Sequence, residues 1–115
     1  MKSDELKRRT KTFAHRCVKL CMTLPNSYLG KYLKGQLIRS STSVASNYRS
    51  ACIAQSKASF VSKLSIALEE ADESFFWLEF IIDEKLLKTK LVETLLNEAR
   101  ELTAIFISSR KTARK

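Results

Sequence analysis

The sequence predicts an all-α domain, an antiparallel up-down-up-down four-helix bundle, and three observations carry that expectation. In 115 residues there are two glycines and one proline, too few for the many tight turns of a β-rich domain. Apolar residues recur at spacings of three and four along four successive stretches, the period of a helix with one buried face. The breaks between those stretches are short, and short connections between long helices favour antiparallel neighbours. A hydrophobic content of 44% with 29% charged residues is enough to build a core without disulfides or metal.

The first helix is expected over about residues 3–23, with Ser3 as its cap and Asp4 and Glu5 at the positive end of its dipole. Leu6, Thr10, Phe13, Cys17, Leu20, Cys21 and Leu24 form its apolar stripe, between basic residues. Pro25-Asn26-Ser27 ends it, because proline cannot continue the hydrogen-bond ladder. A second helix, about 27–54, carries Leu29, Leu33, Leu37, Val44, Tyr48 and Ala51 inward, with Gly30 and Gly35 weakening its start. Its inner face also holds Ser40, Ser43 and Asn47, which allow close helix approach and need hydrogen-bond partners if buried.

Gln55-Ser56 marks the next break, with Ser56 as the cap of a third helix over about 57–83. Phe60, Leu64, Ala67, Leu68, Ala71, Phe75, Leu78 and Ile82 form its stripe, widened by Phe76, Trp77, Phe80 and Ile81. Asp83-Glu84-Lys85 reads as a turn with no glycine to mark it. The fourth helix, about 87–108, presents Leu87, Leu91, Leu95, Leu102, Ile105 and Phe106, with Val92, Leu96 and Ala99 alongside. The bundle domain is thus expected over about 1–109, and residues 110–115 read as a basic C-terminal tail.

The net charge is +9, and its distribution is uneven. Residues 1–63 hold 13 Lys/Arg against 2 Asp/Glu, while residues 64–115 hold 8 against 10. A basic half attracts polyanions, whether nucleic acid, an acidic protein or an anionic surface, although a solvated face and a basic tail give the same count. No uncharged run approaches membrane-spanning length, and the basic, amphipathic first twenty residues lack the apolar region of a signal peptide. The expectation is a cytoplasmic protein with no membrane partner, its thiols Cys17, Cys21 and Cys52 reduced and packed as small hydrophobes.

The inventory of reactive groups points away from an enzyme. His15 is the one histidine and has no carboxylate near it in sequence. The acids Glu69, Glu70, Asp72 and Glu73 lack the Glu-x-x-His spacing of a di-iron bundle. Cys17 and Cys21 share a helix face without further ligands, so they read as core rather than metal. No glycine-rich loop is present to cradle phosphates. No catalytic residue, metal or cofactor is expected.

The segment Gln36-Leu37-Ile38-Arg39-Ser40-Ser41-Thr42-Ser43-Val44-Ala45-Ser46-Asn47-Tyr48-Arg49-Ser50-Ala51 resembles a known family. So do Ser56 to Leu64, Glu69-Glu70-Ala71-Asp72-Glu73-Ser74 and Trp77-Leu78-Glu79. The chain is similar, from about residue 6 to 108, to the bacterial four-helix-bundle proteins encoded in intervening sequences of large-subunit ribosomal RNA genes. Those proteins are fold relatives of the accessory variability protein of diversity-generating retroelements. The resemblance implies an antiparallel bundle, a ring-like homopentamer and a basic surface suited to nucleic acid, and it brings no enzymatic site. Ala45 stands where many relatives have proline or glycine, implying a less kinked second helix. Arg49 and Ser50 stand where some have glutamate, implying a more basic face.

Four sets of candidate residues follow. Lys7, Arg8, Arg9, Lys11, Arg16 and Lys19, with Lys31, Lys34 and Arg49, would grip phosphates of RNA or DNA. Tyr28, Tyr32 and Tyr48 could stack on bases or simply pack. Arg39 and Asn47 are expected to meet Glu70 or Glu73 in a partly buried network that fixes helix register. Phe76, Trp77 and Phe80 exceed what one bundle interior holds and are expected at an interface between copies. The alternative to a nucleic-acid module is a scaffold that docks a protein partner, for instance a nucleic-acid enzyme, the basic field steering association. The near-absence of acids in residues 6–63 leans toward nucleic acid, because a protein-docking face more often mixes signs.

Overall fold

The computed structural model describes residues 1–115 as four helices and no strands: α1 (Ser3–Cys21), α2 (Tyr28–Cys52), α3 (Lys57–Asp83) and α4 (Thr89–Ala113). They form an elongated bundle of 45 × 20 × 19 Å. Neighbours in sequence are neighbours in space, α1 also meets α4, and α1 and α3 lie diagonally opposite. Cross-helix pairs fix the direction. Tyr32 of α2 meets Trp77 of α3 while Arg39, further along α2, reaches back to Glu70. Arg9 of α1 meets Glu98 of α4 while Arg16 reaches Thr94. Arg100 of α4 lies over Phe75 of α3 while Arg110 reaches Ser65. Numbers rise on one helix as they fall on the other in each pair, so adjacent helices run antiparallel.

The core follows the apolar stripes. Leu6, Phe13, Cys17 and Cys21 of α1 and Leu33, Leu37, Val44 and Tyr48 of α2 are buried together with Leu64, Ala67, Ala71, Leu78 and Ile81 of α3. Val92, Leu95, Ala99, Leu102 and Phe106 of α4 complete it, and the Tyr48 and Phe106 rings stack with centroids 5.7 Å apart. The α4 stripe runs one residue later than the leucines indicate: Val92 is fully buried, whereas Leu91 is 53% exposed. Both phases satisfy the three-four spacing, and the thin α1–α4 seam leaves Leu91 uncovered.

α1 stops at Cys21, α2 at Cys52 and α4 starts at Thr89, each two residues inside the expected bound, so Leu87 precedes α4; two other ends also depart from expectation. Ser3 lies inside α1, and Lys2 is the cap residue, its carbonyl accepting from the Leu6 N–H at 3.0 Å. The expected tail is helical as far as Ala113, because Ser108 and Ser109 do not stop a helix and Arg110 and Lys111 favour its negative end. Elsewhere the local chemistry is direct. Ser27 and Ser56 cap α2 and α3 by accepting from the Gly30 and Ser59 N–H groups, each at 3.0 Å. The α3 end closes with Lys85 in the left-handed region, φ 56°. There the Leu86 N–H bonds the Ile81 carbonyl and the Lys85 N–H bonds that of Ile82, a Schellman pattern with lysine where glycine is usual. α2 continues unbroken through Ala45.

Candidate nucleic-acid interface

Basic side chains of α1 diverge because a helix turns about 100° per residue. Lys7, Arg8, Lys11 and His15 point toward α2, where Arg49 stands, and together they border a groove of about 890 Å³ between the two helices. The groove floor is small, formed by Ala14, Val18, Thr42, Ala45 and Ser46. Its one acid is Asp4, paired with Lys7 at 3.2 Å. Arg8, Lys11, His15 and Arg49 on this groove are exposed, and Lys7 is half-buried.

Arg9 and Arg16 turn the other way. The Arg9 guanidinium donates two bonds of 2.7 Å to Glu98 and one of 3.0 Å to Glu101, clasping α1 to α4. Hydrogen bonding to Glu98, opposed by burial and reinforced by Glu101, raises its affinity for its proton. Arg16 donates to the Thr94 hydroxyl at 3.1 Å, and Lys19 borders a small hollow with Leu20 and Leu91 on the same seam. Lys31 and Lys34 lie in the first turns of α2, away from the groove lining. The nine candidate cations therefore do not form one surface. Four of them line the groove, and sequence reading added neither His15, which it weighed only as a catalyst, nor the small residues that open the cleft.

Of the three tyrosines, Tyr48 is buried against Phe106 and Tyr32 stands edge-on to Trp77 at 5.8 Å. Tyr32 is nonetheless 48% exposed, and Tyr28 is open at 88%.

In the polar network Arg39 donates to Glu70 at 3.0 Å and also pairs with Glu73. Asn47 does not join them: its amide donates to the Ser43 carbonyl and hydroxyl, each at 2.9 Å, within α2. Eight residues separate Asn47 from Arg39, about 12 Å along the helix, which is too far to share the same acids. The buried polar link across α2 and α3 is instead Ser74 donating to Ser40 at 3.0 Å. Ser40 stood out in the sequence, but Ser74 lay among acids and aromatics with no sign of its partner.

Phe76 is 49% exposed, while Trp77 and Phe80 are partly buried against the core. Trp77 donates its indole N–H to Glu73 at 3.0 Å and meets Phe76 at 4.9 Å. Around Phe76 the solvent face of α3 carries Glu69, Asp72, Glu79 and Asp83. The cysteines are free. Burial pushes the Cys17 thiol far above its ordinary range, and that of Cys21 up to about 11, so both remain protonated in the core. No group of three or more His, Cys, Asp or Glu residues is placed to hold a metal, and no helix is long and apolar enough to cross a membrane.

Residues 2–108 match the model of a family described as 23S rRNA-intervening sequence protein. The chain is also similar to a Bacteroides thetaiotaomicron protein of unknown function from the S23 ribosomal protein family, known from its crystal structure. That similarity has a TM-score of 0.88 and 37% identity, over 96% of this chain and 99% of that one. No curated protein matches the chain.

Proposed function

The chain belongs to the 23S rRNA-intervening sequence protein family, and from that premise we propose that it is a non-enzymatic protein that binds RNA or DNA through the α1–α2 groove and assembles with copies of itself. The observation that carries this reading is the convergence of Lys7, Arg8, Lys11 and Arg49 on one cleft with a single acid. Cations so gathered release the counterions of a polyphosphate when it binds. Several copies joined together would add avidity to a weak single contact.

Assembly is supported by Phe76, an aromatic ring half exposed beside Trp77 and Phe80 and on the opposite side of the bundle from α1. Docking copies there would leave the α1–α2 groove open. The pentamer implied by the family resemblance is the count this reading adopts. The same apolar spot, ringed by acids, also favours a second reading, in which the bundle is a scaffold for another protein. The two diverge in one experiment. Fluorescence anisotropy with labelled RNA and DNA strands at low salt should show binding, abolished by the triple change Arg8→Glu, Lys11→Glu and Arg49→Glu in a chain that keeps its helicity. No binding by the unaltered protein at low salt would leave the scaffold reading in its place.

A further inference from the structure

Resting on the nucleic-acid reading above, we propose that the ligand of the α1–α2 groove is the phosphodiester backbone of a single strand, taken without regard to base, and that the shape of the cleft selects it over a duplex.

The cleft is an open recess between two helices. Its volume of about 890 Å³ falls in the range of ligand clefts, roughly 300–1,000 Å³. It is open because Ala14 and Val18 on α1 face Thr42, Ala45 and Ser46 on α2, with no long side chain on either helix to fill the seam. Packed helices have axes about 8–10 Å apart, so the recess between them admits one strand. A duplex is much wider and would rest on the rims.

The cations follow the same line. Lys7 and Lys11 stand four residues apart on α1, about 6 Å along the axis, a spacing comparable with successive phosphates of an extended strand. Arg49 reaches the same cleft from α2. Asp4 is the single opposing charge, and its exposed pairing with Lys7 is one a phosphate would replace.

The lining also explains why base identity is not read. No aromatic ring lines the cleft, so bases have no platform on which to stack. The Thr42 hydroxyl donates to the Ile38 carbonyl at 2.7 Å and the Ser46 hydroxyl to that of Ser43 at 3.3 Å, which occupies the donors of the floor. What remains is a row of cations, which position a backbone but do not read sequence.

The test uses the full chain and a labelled oligothymidylate at low salt, read by anisotropy. Ser46→Leu fills the cleft without changing charge or adding an aromatic platform at an exposed helix position, and is expected to weaken binding roughly tenfold or more. The double change Lys31→Glu and Lys34→Glu alters charge more but lies outside the cleft, and is expected to weaken it less than about threefold. Oligoadenylate and single-stranded RNA should compete about equally well, a duplex much more weakly. Should Ser46→Leu lose helicity, Thr42→Leu one turn away replaces it. Wild-type affinity in a folded cleft-filled variant, or equal competition by duplex, would overturn the cleft while leaving nucleic-acid binding intact. Absence of binding to every strand and duplex would instead remove the underlying reading.

Discussion

Neighbouring residues of the same charge do different work here. Arg8 borders an open cleft, whereas Arg9 is clasped by two carboxylates of α4. Arg9→Ala is therefore expected to cost about 1.5–3 kcal/mol, the range for hydrogen bonds to charged groups, and Arg8→Ala almost nothing, in urea unfolding of the two variants. Arg39, about half exposed on its pair with Glu70 and Glu73, should contribute only about 0.2–1 kcal/mol. The two helical glycines also separate. A Cβ at Gly30 would overlap the Pro25 carbonyl oxygen, while one at Gly35 would meet nothing. Thermal melts should show Gly30→Ala lowering the melting temperature and Gly35→Ala raising stability by roughly 0.5–1 kcal/mol. Sequence alone showed a run of basic residues and two helix-weakening glycines. It did not separate Arg8 from Arg9 or Gly30 from Gly35, because the distinction lies in contacts with α4 and with the preceding loop.

At the scale of elements, most of each helix was legible and the ends were less so. Ser56 and the Pro25 break declare themselves because capping and proline chemistry are local. The α3–α4 turn does not, since Lys85 adopts a left-handed conformation that glycine usually takes. Relieving that strain predicts that Lys85→Gly stabilises the protein by about 1 kcal/mol in chemical denaturation, and a loss of stability would contradict the turn geometry. The α4 end was misread for the opposite reason: two serines and a basic run look like a tail, yet nothing in them breaks a helix and their charges suit its terminus. The α2–α3 contact depends on a pairing that no single helix reveals. Ser74→Ala removes the bond to Ser40 and should cost about 1 kcal/mol, with Ser40 left buried.

For the whole molecule, the charge asymmetry of the sequence becomes a spatial one. The basic cleft lies between α1 and α2, and the acidic face of α3 lies diagonally across the bundle from α1, with Phe76 at its centre. The proposed strand site and the proposed contact between copies therefore lie on different faces of the bundle. Phe76→Glu should shift the protein toward monomer in light scattering after size-exclusion chromatography while leaving its helicity unchanged. A monomeric unaltered protein would contradict self-assembly. The central claim, that the cations of the α1–α2 cleft form a phosphate-binding surface, is tested most directly by the salt dependence of affinity for an oligothymidylate. Four cleft cations, Lys7, Lys11, Arg8 and Arg49, predict that the logarithm of the association constant falls with the logarithm of salt concentration at a slope of about −3 per protomer. A slope near zero, or no binding at low salt, would show that the basic face is only a solvated surface.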